Sequence, residues 1–215
     1  MYPVLAFNEQ GKFRIVQFTD IHFRYNTPRS DSVLNLISTI IREEQPDFII
    51  MTGDVVCSEQ TQKAWDQVTR PLIESGIPWA VVLGNHDDEY EMTRQQIIHM
   101  LSAMPNSLTI DGPADISGHG NYILNIRGSH SDDTKAVLYC LDSHAYSNSD
   151  TVHGYGWIKS DQIEWYKKQS KLLTHNNNGN PLPALAFFHI PLPEYKEVLT
   201  KPTTIGSNIE YPCSP

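Results

Sequence analysis

The stretch DFIIMTGD, Asp47–Asp54, is apolar at nearly every position up to Thr52. A strand wet on one face alternates apolar and polar residues, so an unbroken apolar run needs cover on both faces, as in a parallel sheet with a layer on each side. Gly53 interrupts the run, and the strand is predicted to stop at Asp54. The flanking segments agree with that layering. KFRIVQFT, Lys12–Thr19, reads as a first strand ending at Asp20. Val33, Leu34, Ile37, Ile40 and Ile41 follow at helical spacing, with Ser30 or Asp31 as the expected N-cap. A polar helical stretch from Gln60 to Ser75 leads to a third apolar run, IPWAVVLGN, and helical spacing returns at Ile97, Ile98, Leu101 and Met104. The order βαβαβα predicts an α/β fold with a mostly parallel sheet and right-handed crossovers.

The second half reads differently. NYILNIR and KAVLYCLD, separated by the polar GSHSDDT, predict an antiparallel hairpin and therefore a mixed sheet or a second sheet. Ser160 is placed to cap a helix running to about Leu173, and ALAFF forms the last strand, ending at His189. Pro191 and Pro193 then block helix continuation. At 215 residues a single domain, 1–215, is the expectation. No apolar run approaches the roughly 20 residues needed to span a bilayer. A net charge of −9 disfavours stable nucleic-acid binding, because the phosphate backbone would be repelled. Cys57, Cys140 and Cys213 form neither a CxxC pair nor a disulfide framework, and the N-terminus lacks a signal-peptide pattern. Compartment, as cytoplasmic or as exported with a leader removed, and oligomeric state stay open.

Four predicted strand ends carry metal-ligating residue types: DIH, GD, GNHD and FFH. Open α/β sheets bind ligands outside the carboxyl ends of their strands, so Asp20, His22, Asp54, Asn85, His86, Asp87 and His189 are the candidate site. Asp20 and His22, two apart on an extended chain, are expected to point the same way. Gly53 and Gly84 are expected to let the backbone turn sharply beside the site.

The ordered set Asp20-x-His22, Gly53-Asp54, Gly84-Asn85-His86-Asp87 and His189 resembles the calcineurin-like metallophosphoesterase family across nearly the whole chain. GYGWI and FFHIPLPEY resemble its purple-acid-phosphatase-like branch more narrowly. The resemblance implies an α/β sandwich of two mixed sheets flanked by helices. It also implies two metal ions, with Asp54 bridging, Asp20 and His22 on the first, and Asn85 and His189 on the second. Carboxylate, imidazole and amide donors suit Mn, Fe or Zn. Two such ions about 3.5–4 Å apart clamp a phosphate and lower the pKa of a bridging water, whose hydroxide would attack the ester. Asn85 coordinates without neutralising, which leaves a formal charge of about +1 to attract phosphate. His86 is expected to protonate the leaving oxygen and Asp87 to orient its ring. His144, His153 and Tyr155 are candidate substrate contacts.

The sequence departs from the family pattern in two places. Purple members carry tyrosine where this chain has Cys57, and they lack the histidine at His22, so a non-purple centre is expected. Cys57 itself reads as a buried or neighbouring thiol. The family's closing Gly-His-x-His motif is not found after His189, and SGHGNY, with His119 as a turn residue, is no substitute. The expectation is a C-terminally incomplete domain that holds metal weakly and turns over little. Phosphomonoesterase activity is the favoured reading. The alternatives are a phosphodiesterase or nuclease of the same family and an inactive metal-binding or interaction module.

Overall fold

A computed structural model describes residues 3–192, 194 and 195. Pro193, Cys213 and the tail discussed above lie outside them. In chain order the elements are β1 (Leu5–Ala6), β2 (Ile15–Phe18), α1 (Pro28–Glu44), β3 (Phe48–Thr52), α2 (Thr61–Ser75), β4 (Trp79–Val82), α3 (Arg94–Ser102), β5 (Tyr122–Gly128), β6 (Ser131–Cys140), α4 (Ser160–Asn176) and β7 (Ala184–Phe187). Strands β2, β3 and β4 form a wholly parallel sheet in that order, with Ile15 opposite Phe48 and Ile49 opposite Trp79. The other sheet, β1-β5-β6-β7, is mixed: β5 and β6 are the antiparallel hairpin, and β1 and β7 join it in parallel.

The unbroken apolar run of β3 is explained by two cores. Phe48 and Ile50 point between the sheets, where they meet Ala80, Val82, Leu124, Leu138 and Cys140. Ile49 and Met51 point the other way, into the helix layer of Leu34, Ile37, Trp65, Leu72, Ile97 and Leu101. All four are fully buried, and each large side chain so placed stabilises the fold by about 1.5–3 kcal/mol. Parallel β2, β3 and β4, closed by helices, therefore all end at one rim.

Helix starts differ from the sequence expectation in an instructive way. Helix α1 begins at Pro28, before Ser30 and Asp31, because Thr27 is the N-cap and Pro28 supplies a preset φ at the first helical position. The Ser30 hydroxyl reaches back to accept the Thr27 N–H at 3.1 Å. Helix α4 is capped by Lys159, one residue before Ser160, with Gln162 Oε1 accepting the Lys159 N–H at 2.7 Å. The acidic run DDEYE, Asp87–Glu91, whose charge would suit a helix N-terminus, forms turns and bends instead, and α3 begins only at Arg94 behind the Thr93 cap. The last residue of the run has another use. Glu91 accepts the Gln60 and Thr61 N–H groups at 2.8 and 2.9 Å and so caps α2 from a distant segment.

The Thr61 and Gln60 N–H groups and the Thr61 hydroxyl hold the Glu91 carboxyl down at about 2, against an ordinary value of 4.5. A depressed carboxylate stabilises the fold above its unfolded value, and the contribution is lost as pH falls through the folded one. Glu91→Ala is therefore expected to lower the melting temperature near neutrality, with the gap to the parent narrowing between pH 4.5 and about 2. Circular dichroism melts across that range check it; a gap that stays constant in acid would assign the cost to something other than this carboxylate.

Candidate metal centre

Beyond β2 and β3 the two chains continue side by side. The Asp20 N–H donates to the Gly53 carbonyl at 3.1 Å, His22 N–H to Asp54 at 2.9 Å and Phe23 N–H to Val55 at 2.8 Å. The backbone is kinked at three of the candidate residues: Asp20, His22 and Asp54 have φ of 52°, 48° and 52°. Left-handed conformations at non-glycine residues cost of order 1–3 kcal/mol and persist where the surroundings hold them. Here the ladder of hydrogen bonds does so. The extended-chain expectation for Asp20 and His22 is thereby corrected, because both sit in kinks and their side chains join different groups.

Ligand atoms of Asp20, Asp54 and His189 lie within 4.8 Å of one another, and so do those of His22, Asp54 and His86. Asp54 is common to both sets. This division differs from the expected one, which put Asp20 and His22 together. His189 Nδ1 sits 2.9 Å from the Thr52 carbonyl, which can only accept, so Nδ1 carries the proton and Nε2 faces Asp54 Oδ2 at 3.3 Å. His22 repeats the pattern, with Nδ1 3.1 Å from the Asp20 carbonyl and Nε2 3.5 Å from Asp54 Oδ2. Backbone carbonyls that fix the far nitrogen of an imidazole are the usual outer support of a metal ligand.

The electrostatics of this pair are mutual. Burial alone would raise the Asp54 carboxyl, but His189 and the His86 N–H outweigh it and hold Asp54 below the ordinary carboxylate range. Burial likewise opposes charge on His189, yet the Asp54 carboxylate and the Thr52 carbonyl outweigh it and raise the imidazole.

Gly53 and Gly84 are required by close approach. Gly53 has φ 91°, and a side chain there would strike the His189 ring; a Cβ on Gly84 would overlap the Asp54 carboxylate and backbone nitrogen. Asn85 is buried, and its amide Nδ2 donates to the Tyr146 hydroxyl at 3.3 Å, so the amide oxygen is the atom it has to offer a cation.

Asp87 does not orient His86. Its carboxylate is buried and accepts backbone N–H groups from Asp54, Val55 and Val56, each at 2.9 Å, and from Gly84 at 2.7 Å. Burial raises its carboxyl despite those donors. Asp87 thus ties the loop after β3 to the loop after β4. The carboxylate beside His86 is Glu89, 2.8 Å from Nδ1, and the Tyr146 hydroxyl donates to the same Glu89 oxygen at 2.8 Å. His86 Nε2 then lies 3.9 Å from Asp54 Oδ2, and its backbone N–H donates to Asp54 Oδ1 at 2.9 Å.

Neither Glu89 nor Tyr146 was among the sequence candidates. Glu89 follows His86 by three residues but sits in an acidic run where nothing singles it out, and Tyr146 comes from the loop after β6 with no local signal. Arg94 completes the support. Buried at the start of α3, it donates to the Gly84 carbonyl at 2.7 Å, to Asp88 at 2.8 Å and to Asp142 at 2.6 Å.

The proposed substrate contacts are spread out. Tyr155 is exposed and stacks on Tyr146 with ring centres 6.1 Å apart, so it reaches the site through that ring. His144 is turned to α4, with Nε2 3.0 Å from Gln162 Oε1. A ring held there does not point at the carboxylates, which corrects the expectation of a substrate contact. His153 is exposed. His119 is a turn residue paired with Asp111 at 2.9 Å. A cavity of about 920 Å³ adjoins the site, lined by Asp20, His22 and His86 and also by Arg24, Arg29 and Cys57. No helix among the described residues is long and apolar enough to cross a membrane.

Comparison with known proteins gives the family and the fold. The model of the family described as calcineurin-like phosphoesterase matches residues 13–209. A protein of Arabidopsis thaliana named probable inactive purple acid phosphatase 29 is 37% identical over 94% of this chain and 60% of its own length. Phosphatase DCR2 of Saccharomyces cerevisiae is 32% identical over 90% of this chain and 37% of its own length. The chain thus spans less than two thirds of the curated relatives it matches. Among solved structures, a dimetal phosphatase from Danio rerio aligns with a TM-score of 0.55 at 14% identity, covering 83% of this chain and 70% of that one. That likeness is one of fold.

Proposed function

The chain belongs to the calcineurin-like phosphoesterase family, and on that premise we propose that it is a metal-dependent phosphohydrolase, with phosphate monoesters as favoured substrates. The observation that carries this reading is Asp54, whose Oδ2 faces Nε2 of His22 at 3.5 Å and Nε2 of His189 at 3.3 Å. The donor chemistry fits a pair of divalent ions: carboxylates and imidazoles converge, and the outward nitrogens of His22 and His189 are fixed by carbonyls. Asp54 would bridge, Asp20 and His189 would hold one side, and His22 the other, with the Asn85 oxygen adding an uncharged donor. When bound, such ions supply Lewis acidity toward phosphoryl oxygens and make a coordinated water a nucleophile near neutral pH.

The protein's own contribution is placement and proton transfer. Glu89 fixes the His86 ring through Nδ1, which leaves Nε2 on the Asp54 side of the cleft. A leaving oxygen there takes its proton from Nε2. Asp87 and Arg94 hold the loops that carry Asp54, Asn85 and His86. The alcohol part of the ester would occupy the cavity, where Arg24 and Arg29 favour a second anionic group on the substrate.

Two alternatives compete. The same pair of ions serves diesters, and the name of the Arabidopsis relative favours a module that binds metal without turnover. The test is turnover of an aryl phosphomonoester and an aryl diester by the purified protein with Mn, Fe or Zn, alongside bound-metal analysis. Faster monoester turnover is expected; bound metal with no turnover of either ester would assign the inactive module. His86→Ala is expected to lower kcat by about 10²–10⁴ on an alkyl phosphate and much less on an aryl phosphate, whose leaving oxygen needs no proton. An equal loss on both would remove His86 from the role of acid.

A further inference from the structure

His86 and Glu89 also belong to a second cluster, completed by Cys57, which hydrolysis does not use. Ligand atoms of Cys57, His86 and Glu89 lie within 4.8 Å of one another. Cys57 is positioned independently of the other two, whereas Glu89 also contacts His86 Nδ1 at 2.8 Å. The Cys57 N–H is bonded to the Phe23 carbonyl at 3.0 Å, in the ladder that extends β2 and β3. The His86 N–H is held by Asp54, and Glu89 by the Tyr146 hydroxyl. Cys57 and His86 both line the open cavity, so a hydrated ion can reach them.

We propose that Cys57, His86 and Glu89 form a third cation site, distinct from the centre around Asp54, that takes a thiophilic divalent ion such as zinc. Thiolate, imidazole and carboxylate are the donor types of three-ligand zinc sites, with water in the fourth position. The set differs in kind from the oxygen and nitrogen donors around Asp54, and sulfur selects against Mn and Mg. Zinc bonds of about 2.0–2.3 Å in tetrahedral geometry place ligand atoms roughly 3.3–3.7 Å apart. The half-exposed side chains of His86 and Glu89 need to move by about an ångström to meet that. Binding releases the Cys57 thiol proton to water and leaves sulfur as thiolate.

The site shares His86 and Glu89 with the hydrolytic reading, and its functional consequence rests on that reading. An ion held on His86 Nδ1 takes the position that Glu89 otherwise occupies and pulls the ring toward Cys57. Zinc in excess of the central pair would then slow esters that need a protonated leaving oxygen.

The binding itself is testable without turnover. Cobalt replaces zinc and gives a thiolate-to-metal charge-transfer absorption in the near ultraviolet that oxygen and nitrogen donors do not. Titration of the purified full chain with cobalt is expected to show this band. It should vanish in the nearly isosteric Cys57→Ser, require at least about tenfold more cobalt in Glu89→Ala, and persist in Cys213→Ser. Absence of the band in the parent, or a band undiminished in Cys57→Ser or Glu89→Ala, would overturn the assignment. Hydrolysis does not enter the readout, so a failure here leaves the hydrolytic proposal standing, and the reverse holds as well.

Discussion

Asp54→Asn is expected to lower metal-dependent kcat/KM by a factor on the order of 10³ or more while leaving the fold in place. The amide is nearly isosteric, and its oxygen can still accept the His86 N–H that Asp54 Oδ1 accepts at 2.9 Å. What it cannot supply is charge to two ions at once. In the parent, Asp54 Oδ2 faces Nε2 of His22 at 3.5 Å and of His189 at 3.3 Å. Both donor sets lose their common anion, so bound metal is expected to fall as well as rate. Metal analysis after gel filtration, measured beside kcat/KM and the circular dichroism spectrum, separates loss of the centre from loss of the fold. Retention of two ions per chain by a folded Asp54→Asn protein would show that this carboxylate is not the bridge.

The largest stability effect is expected at Arg94. Arg94→Met should destabilise the protein by about 3–5 kcal/mol, the usual cost of removing one partner of a buried ion pair. Arg94 is 9% exposed and Asp142 is 0% exposed. The substitution also strips a donor from the carbonyls of Leu83 and Gly84, the two residues before Asn85. Asp142 would keep the N–H groups of His119 at 2.8 Å and His144 at 2.9 Å, which do not replace a cation.

The pH dependence gives this prediction its sign. Burial opposes charge on Asp142, but Arg94 outweighs it and holds the carboxyl below the ordinary range. The group therefore stabilises the parent above its unfolded value of 3.8, and the contribution is lost as pH falls through the lower folded value. In Arg94→Met the burial penalty is opposed only by the remaining N–H donors, so the variant suffers most near neutrality. Urea unfolding at several pH values should show the gap narrowing in acid. A gap that widens in acid would mean that the pair is not what Arg94 contributes. Because α3 holds the Gly84 carbonyl through this residue, activity is expected to fall along with stability.

Some of the centre was open to inspection in one dimension because parallel strands sandwiched between layers leave a plain trace. The apolar run from Phe48 to Met51 is unbroken since Phe48 and Ile50 enter one core and Ile49 and Met51 the other. Polar residues placed just after such runs must emerge at one rim, which is why Asp20, Asp54, Asn85 and His189 could be grouped at all. The hairpin of β5 and β6 was legible for a similar reason, two apolar runs flanking a polar segment, although most of GSHSDDT is strand and only Ser129 and His130 make the turn. Helix ends were less so: Thr27 and Glu91 cap through contacts that periodicity does not encode.

The amino-acid sequence by itself determined that strands end in carboxylate, imidazole and amide donors, because periodicity records which positions are buried and so where the chain must leave the core. Only the tertiary structure decided which donor meets which. Asp87 and Glu89 are two residues apart with the same chemistry, yet one binds four backbone N–H groups and the other a histidine. Left-handed kinks at Asp20, His22 and Asp54 redirect side chains that an extended chain would have aligned. Tyr146, Asp142 and the nearness of Cys57 to Glu89 arrive from distant segments, and a hydrogen bond's direction is fixed by where the partner lies in space, which local sequence does not carry.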